Sequence, residues 1–217
     1  MSLKHQIARK EIIEAGLEIQ QAAFVVGTWG NISVRIEEDE LIAITPSGIE
    51  YNKLVNENIA IVDMEGNLID GNLKPSTELM LHLSLYKARP DVQAIVHTHP
   101  VHCTAMATAR KPIPAAFEDL VQIIGGRVHV SEYRLPGAED LSTVIRHAMG
   151  ERNAVLIANH GLMTMGRTLK EAIQAAYVCE NAARATLLAA NVGGAVEFSP
   201  TDIRILRNFY LTQYGQR

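Results

Sequence analysis

The sequence predicts an α/β fold, a three-layer α/β/α arrangement around a mixed, largely antiparallel central sheet. Three observations carry that expectation. Early runs of alternating apolar residues are broken by turn-forming segments, as in hairpins. Short apolar runs later in the chain alternate with helical patterns. Of the 217 residues, 47% are hydrophobic, enough to build a sizeable core, and no Pro-, Gly- or Ser-rich linker splits the chain. Residues 1–217 are therefore read as one domain.

Each element follows from its local pattern. Leu3, Ile7, Ile12, Leu17 and Ile19 recur at helical spacing up to about Phe24, and Gly27 follows as a stop signal. The alternation Ile32, Val34, Ile36 and then Leu41, Ile42, Ile44 across an acidic turn predicts a hairpin, and a second is expected at Ile59–Val62 with Leu68–Ile69. Pro75-Ser76-Thr77-Glu78 opens a helix running to about Ala88, with Glu78 in its first turn. A strand is expected at Ala94–His97, a helix at Val101–Ala109 and a short helix at Phe117–Ile124. Beyond Gly125-Gly126 come a strand near Val128–Val130, a helix over Glu139–Met149 and a buried strand over Ala154–Ala158. The chain then turns at Asn159-His160-Gly161 into a strand over Leu162–Met165. A long Ala-rich helix over Leu169–Ala190 and a closing helix over Thr201–Tyr210 complete it, leaving Leu211–Arg217 as a tail.

Charge and composition narrow the function classes. Twenty basic against 24 acidic residues give a net charge of −4 with no Lys/Arg run, which argues against a general nucleic-acid binder. The longest uncharged stretch, Val92–Ala109, carries three histidines, a glutamine and a proline, unlike a bilayer-spanning helix. Two cysteines, Cys103 and Cys179, form no CxxC pair, and the opening segment carries charge where an export signal needs apolar residues. The expectation is a protein of a reducing cytoplasm, acting on a small molecule, with no membrane or nucleic-acid partner.

His97 and His99 stand two apart at a strand end, so both imidazoles point to one side of the sheet and could share a metal ion. His160, at the end of the next long apolar strand, could supply a third nitrogen and leave an open position. Polar histidines hydrogen-bonded at strand ends are the alternative. His5, His82, His102, His129 and His147 share no such spacing and are read as ordinary surface or core residues. Gly30-Asn31, Ser47-Gly48 and Ser76-Thr77 offer amide and hydroxyl donors suited to a phosphate, although each also serves a turn or a helix cap. Glu78 is the candidate acid/base; its alternative is simple electrostatics at a helix start.

Gly27-Thr28-Trp29-Gly30-Asn31-Ile32-Ser33-Val34-Arg35, Thr45-Pro46-Ser47-Gly48, Pro75-Ser76-Thr77-Glu78, His97-Thr98-His99 and Asn159-His160-Gly161, taken in that order, resemble the class II aldolase/adducin family. The resemblance runs from about residue 6 to the C-terminus. It implies one zinc ion per subunit on His97, His99 and His160, with Glu78 as neighbour or ligand and as acid/base. It also implies phosphate bound near Gly30, Asn31, Ser47, Gly48, Ser76 and Thr77. The implied reaction is reversible cleavage of a ketose 1-phosphate, such as L-fuculose 1-phosphate or a deoxy- or methylthio-pentulose phosphate, into dihydroxyacetone phosphate and an aldehyde.

The implied assembly is a homotetramer with sites at subunit interfaces, closed by a tail that Gln213-Tyr214-Gly215-Gln216-Arg217 resembles, with Tyr214 as proton donor. One departure stands out. Where aldolase members carry a tyrosine after Ile113-Pro114-Ala115, this chain reads Ala116-Phe117-Glu118-Asp119, and dehydratase members carry a glutamate in this region that Glu118 could match. Dehydration, epimerisation or decarboxylation of a related sugar phosphate is the second reading, and a non-catalytic scaffold the third.

Overall fold

A computed structural model describes residues 3–36 and 40–215, so the acidic turn at 37–39 and the last two tail residues, Gln216 and Arg217, lie outside it. Helix α1 (Leu3–Gln21) leads into the hairpin β1 (Asn31–Ile36) and β2 (Leu41–Ile44), then β3 (Ala60–Val62) and β4 (Leu68–Asp70). Helix α2 (Leu79–Ala88), β5 (Ala94–Thr98), α3 (Val101–Thr108), α4 (Glu118–Ile124) and α5 (Leu141–Met149) follow. The hairpin β6 (Ala154–Ile157) and β7 (Gly161–Gly166) precedes α6 (Leu169–Ala189) and α7 (Pro200–Thr212).

Among the described residues the sheet has seven strands in the order β4-β3-β2-β1-β5-β7-β6. Each pairing of these strands is antiparallel. The parallel component is one bridge, Val130 to Leu156. The strand expected near Val128–Val130 is thus not a strand: Val128 exchanges backbone hydrogen bonds with Ile113, while His129 and Ser131 bond Leu156 on β6. Its backbone groups are shared between two partners, so no continuous ladder forms.

Alternation along the strands sends residues into two cores. Ile32, Ala43, Ile61, Val96, Leu156 and Leu162 face α1, α3, α4 and α6. Ile42, Ile44, Val62, Ile95, Val155 and Met163 face α2 and α5. Each large aliphatic side chain fully buried this way contributes roughly 1.5–3 kcal/mol. Helices thus cover both faces of the sheet in three layers.

The first helix ends at Gln21, slightly short of the expected Phe24. It is anchored through buried Arg9, whose Nε donates to the Ile59 carbonyl and whose Nη2 lies 3.2 Å from Asp70 Oδ2. Thr168 caps α6 by accepting from the Glu171 amide, and Ser199 caps α7 by accepting from the Asp202 amide. Helix α2 starts at Leu79, which moves Glu78 out of the first turn to the cap position (φ −94°, ψ 11°). Ser76 Oγ accepts from the Glu78 amide there, completing a turn in place of a helical start. Among the described residues, no helix is long and apolar enough to cross a membrane.

Candidate active site

The site forms at one end of the sheet, where β1, β5 and β7 lie side by side. Asn31 on β1 pairs directly with His97 on β5, which pairs in turn with Met163 on β7. Strand alternation sends the Asn31 and His97 side chains toward α2, the same side as Ile95 and Met163. His99 stands just beyond β5, its amide bonded to the Phe24 carbonyl at 2.7 Å. His160 sits in the tight β6–β7 turn behind Asn159, whose left-handed backbone (φ 57°) reverses the chain. Arg110 Nε donates to Asn159 Oδ1 and braces that turn.

The three imidazoles converge. His97 Nε2 lies 2.9 Å from His99 Nε2 and 3.3 Å from His160 Nε2. His97 Nδ1 is 3.0 Å from the Leu162 carbonyl, which can only accept, so Nδ1 carries a proton there and Nε2 is the nitrogen turned toward the other two rings. Burial and the neighbouring rings push His99 down to about 3, and burial also lowers His160. Three imidazoles aiming nitrogens at one point are a donor set that a divalent cation fits, and His97, His99 and His160 could hold one.

Two glycines make the geometry possible. A Cβ on Gly161 would collide with the His99 ring and lie 2.6 Å from the Thr98 carbonyl. On Gly30 (φ 81°) it would come 2.7 Å from the His97 carbonyl and 2.6 Å from Val25. Both positions let a neighbouring strand approach the histidines closely.

Glu78 borders the cluster, its Oε2 3.5 Å from His97 Nε2 and its Oε1 4.0 Å from His160 Nδ1. Burial raises this carboxyl, but His97, the Asn31 amide, His160 and His82 together outweigh that and hold it at about 2. It is an anion at neutral pH. Asn31 Nδ2 donates to Glu78 Oε2 at 2.6 Å, so this side chain is partly committed to the carboxylate.

The three expected anion loops meet beside Glu78. Pro46 and Pro75 form a bridge, the Ser47 amide donates to the Lys74 carbonyl and the Ser76 amide to the Thr45 carbonyl. Thr45 in turn exchanges hydrogen bonds with Ile32 on β1. Ser47, Gly48 and Thr77 are exposed, whereas Ser76 is buried and engaged with the Glu78 amide.

Two expected residues are not brought to the histidines of their own chain. Glu118 is exposed in the first turn of α4. Tyr214 is 55% exposed and rests on Tyr210 and Phe209, with ring centroids 5.6 and 6.4 Å away. Tyr210 and Leu211 line a small cavity with Asp91, Val92 and Gly166, at the opposite end of β5 and β7 from His97. One contributor escaped sequence reading. His82, fully buried, places Nε2 2.6 Å from Asn31 Oδ1. Its signal was the spacing Glu78, His82, one helical turn apart.

Residues 10–187 match the family model described as the class II aldolase and adducin N-terminal domain. The chain belongs to this family. It is 36% identical over 175 residues to a 5-deoxy-D-ribulose 1-phosphate aldolase of Bacillus thuringiensis, covering 81% of this chain and 82% of that one. It is 34% identical over 215 residues to an L-fuculose phosphate aldolase of Escherichia coli, covering 99% and 98%. A solved L-fuculose 1-phosphate aldolase superposes with a TM-score of 0.90 at 33% identity, covering 94% and 96% of the chains. The class II aldolase family also reaches this chain through an L-ribulose-5-phosphate 4-epimerase of Salmonella paratyphi B, 28% identical over 221 residues (97% and 96%). Aldolases and epimerases of sugar phosphates are thus both among its relatives.

Proposed function

We propose that the protein is a zinc-dependent cytoplasmic aldolase that reversibly cleaves a small ketose 1-phosphate into dihydroxyacetone phosphate and an aldehyde. The observation that carries this reading is the half-buried Glu78 carboxylate, 3.5 Å from a nitrogen of a three-imidazole cluster and beside three loops suited to an anion. The relatives named 5-deoxy-D-ribulose 1-phosphate aldolase and L-fuculose phosphate aldolase, and the solved L-fuculose 1-phosphate aldolase, support the substrate class. Two free, buried cysteines are compatible with a reducing compartment.

In this reading His97, His99 and His160 hold the zinc ion, which when bound supplies Lewis acidity toward the substrate ketone. Gly30, Asn31, Ser47, Gly48, Ser76 and Thr77 bind the phosphate and orient the sugar. Glu78 moves the proton. Its Oε2 is engaged by Asn31, so Oε1 takes the proton from the carbon beside the ketone in condensation and returns it in cleavage. The assembly we propose is a homotetramer whose subunits share sites, and there Tyr214 and Glu118 would meet the substrate of an adjoining subunit.

A coupled assay for dihydroxyacetone phosphate, run on a panel of ketose 1-phosphates with zinc and after chelation, tests this. Chelator-sensitive release is the expected result. Loss of substrate without that product overturns the aldolase reading in favour of epimerisation or dehydration, the outcome toward which the epimerase relative points.

A second expectation concerns Gly161. Gly161→Ala should displace the His99 ring and lower zinc affinity by about 10- to 100-fold, as loss of a ligand's support does. Zinc competition with a chromogenic chelator measures it, and unchanged affinity would show that His99 is not a ligand.

A further inference from the structure

Behind Glu78 runs a file of hydrogen bonds that proton transfer at Oε1 does not itself use. Asn31 Nδ2 donates to Glu78 Oε2 at 2.6 Å, and Asn31 Oδ1 lies 2.6 Å from His82 Nε2. His82 Nδ1 lies 2.6 Å from Ser33 Oγ, which lies 2.9 Å from the Tyr86 hydroxyl. Asn31, Ser33, His82 and Tyr86 are all buried, none more than 5% exposed. Two periodicities make the file. Asn31 and Ser33 are two apart on β1 and face α2, while His82 and Tyr86 are four apart on α2 and face β1.

Its direction follows from the Glu78 end. An ionised carboxylate only accepts, so Asn31 must turn its NH2 group toward Glu78 and its carbonyl oxygen toward His82. A carbonyl also only accepts, so the His82 proton must be on Nε2. A neutral ring protonated there has its lone pair on Nδ1, where the Ser33 hydroxyl donates, and Ser33 Oγ then accepts from the Tyr86 hydroxyl. With the other tautomer, a lone pair at Nε2 would face the Asn31 carbonyl. Flipping the amide to relieve that would set the carbonyl against the carboxylate, leaving acceptors opposed in a buried site, an arrangement that costs about 1–3 kcal/mol per unsatisfied group.

We propose that His82 is a positioning residue for the reaction: held as the Nε2–H tautomer by Ser33 and Tyr86, it locks the Asn31 amide and thereby fixes Glu78 Oε2, leaving Oε1 as the atom that carries the moving proton. The same lock presents only N–H groups of Asn31 to the anion end of the site. The catalytic half of this rests on Glu78 being the acid/base of the proposed reaction, whereas the tautomer does not depend on which reaction is run.

Long-range 1H–15N NMR of the histidine rings in the full-length zinc-loaded protein, with His82 assigned by loss of its signals in His82→Gln, reads the tautomer directly. A protonated Nε2 with an unprotonated Nδ1 is expected; a proton on Nδ1, alone or with one on Nε2, overturns the proposal. Kinetics supply the second arm. The glutamine variant can place an N–H where Nε2–H stands and should keep kcat within about threefold of the parent, whereas His82→Leu fills space without donating. With zinc still bound, His82→Leu is expected to lower kcat by about 10- to 100-fold. An equal fall in both variants, or parental kcat in zinc-loaded His82→Leu, overturns the positioning role. An inactive parent enzyme would instead sink the proposed reaction and leave the tautomer result standing.

Discussion

His99→Ala is expected to lose zinc and turnover together. His99 contributes one of three converging nitrogens, and two imidazoles alone hold the ion far more weakly. The residue belongs to neither apolar core, and its ring fills the space that Gly161 leaves open, so the fold should survive the change. Lewis-acid stabilisation is worth several kcal/mol, and each increment of about 1.4 kcal/mol is a factor of ten, which sets the loss of kcat/KM at roughly 10³-fold or more. Zinc per chain by elemental analysis, beside dihydroxyacetone phosphate release, gives both readouts on one sample. Full turnover by a zinc-free variant would remove the metal from the mechanism.

Glu78→Gln should separate binding from chemistry. The amide has nearly the shape of the carboxylate and can still accept from Asn31 Nδ2, but it cannot carry the proton. Zinc should stay bound, because the three imidazole nitrogens are untouched. We expect kcat to fall about 10²- to 10⁴-fold, the range for loss of a positioned general base, with KM changed far less because the phosphate loops remain. A variant within threefold of parental kcat would show that another group moves the proton. Glu78 suits the role because its charge is held by geometry: His97 and the Asn31 amide offset the burial that would otherwise neutralise it.

Much of this architecture was legible in residue patterns. Period-two spacing predicted His97 and His99 on one side of a strand; β5 ends at Thr98, so His99 stands just beyond it, yet the two nitrogens come within 2.9 Å. The Asn159-His160-Gly161 turn signal fell where β6 reverses into β7 and brings His160 to the others. The strand expected at Val128–Val130 failed because β-propensity is silent about partners: that segment splits its hydrogen bonds between Ile113 and Leu156. Glu78 was expected in the first turn of its helix and is instead the cap, because Ser76 uses its hydroxyl in a turn before the first helical residue. His82 was passed over because its meaning lies in register. The placement of β1 beside α2 brings Ser33 and Asn31 to one imidazole, and Asn31 links it to Glu78. Tyr214 and Glu118 were named through resemblance, and a single chain does not carry either to the histidines.

The strand order also bears on how the site comes into existence. Local hairpins lie on both flanks, β1 with β2 and β3 with β4 on one side, β6 with β7 on the other. The two central pairings join distant segments, Asn31 with His97 and His97 with Met163. Contacts of such long sequence separation bear the largest loop-closure entropy and are the slow part of folding. Because Glu78, His97 and His160 meet only across those central pairings, neither flank alone contains the site. The capacity to hold a metal is therefore a property of the completed sheet and rests on its least local contacts.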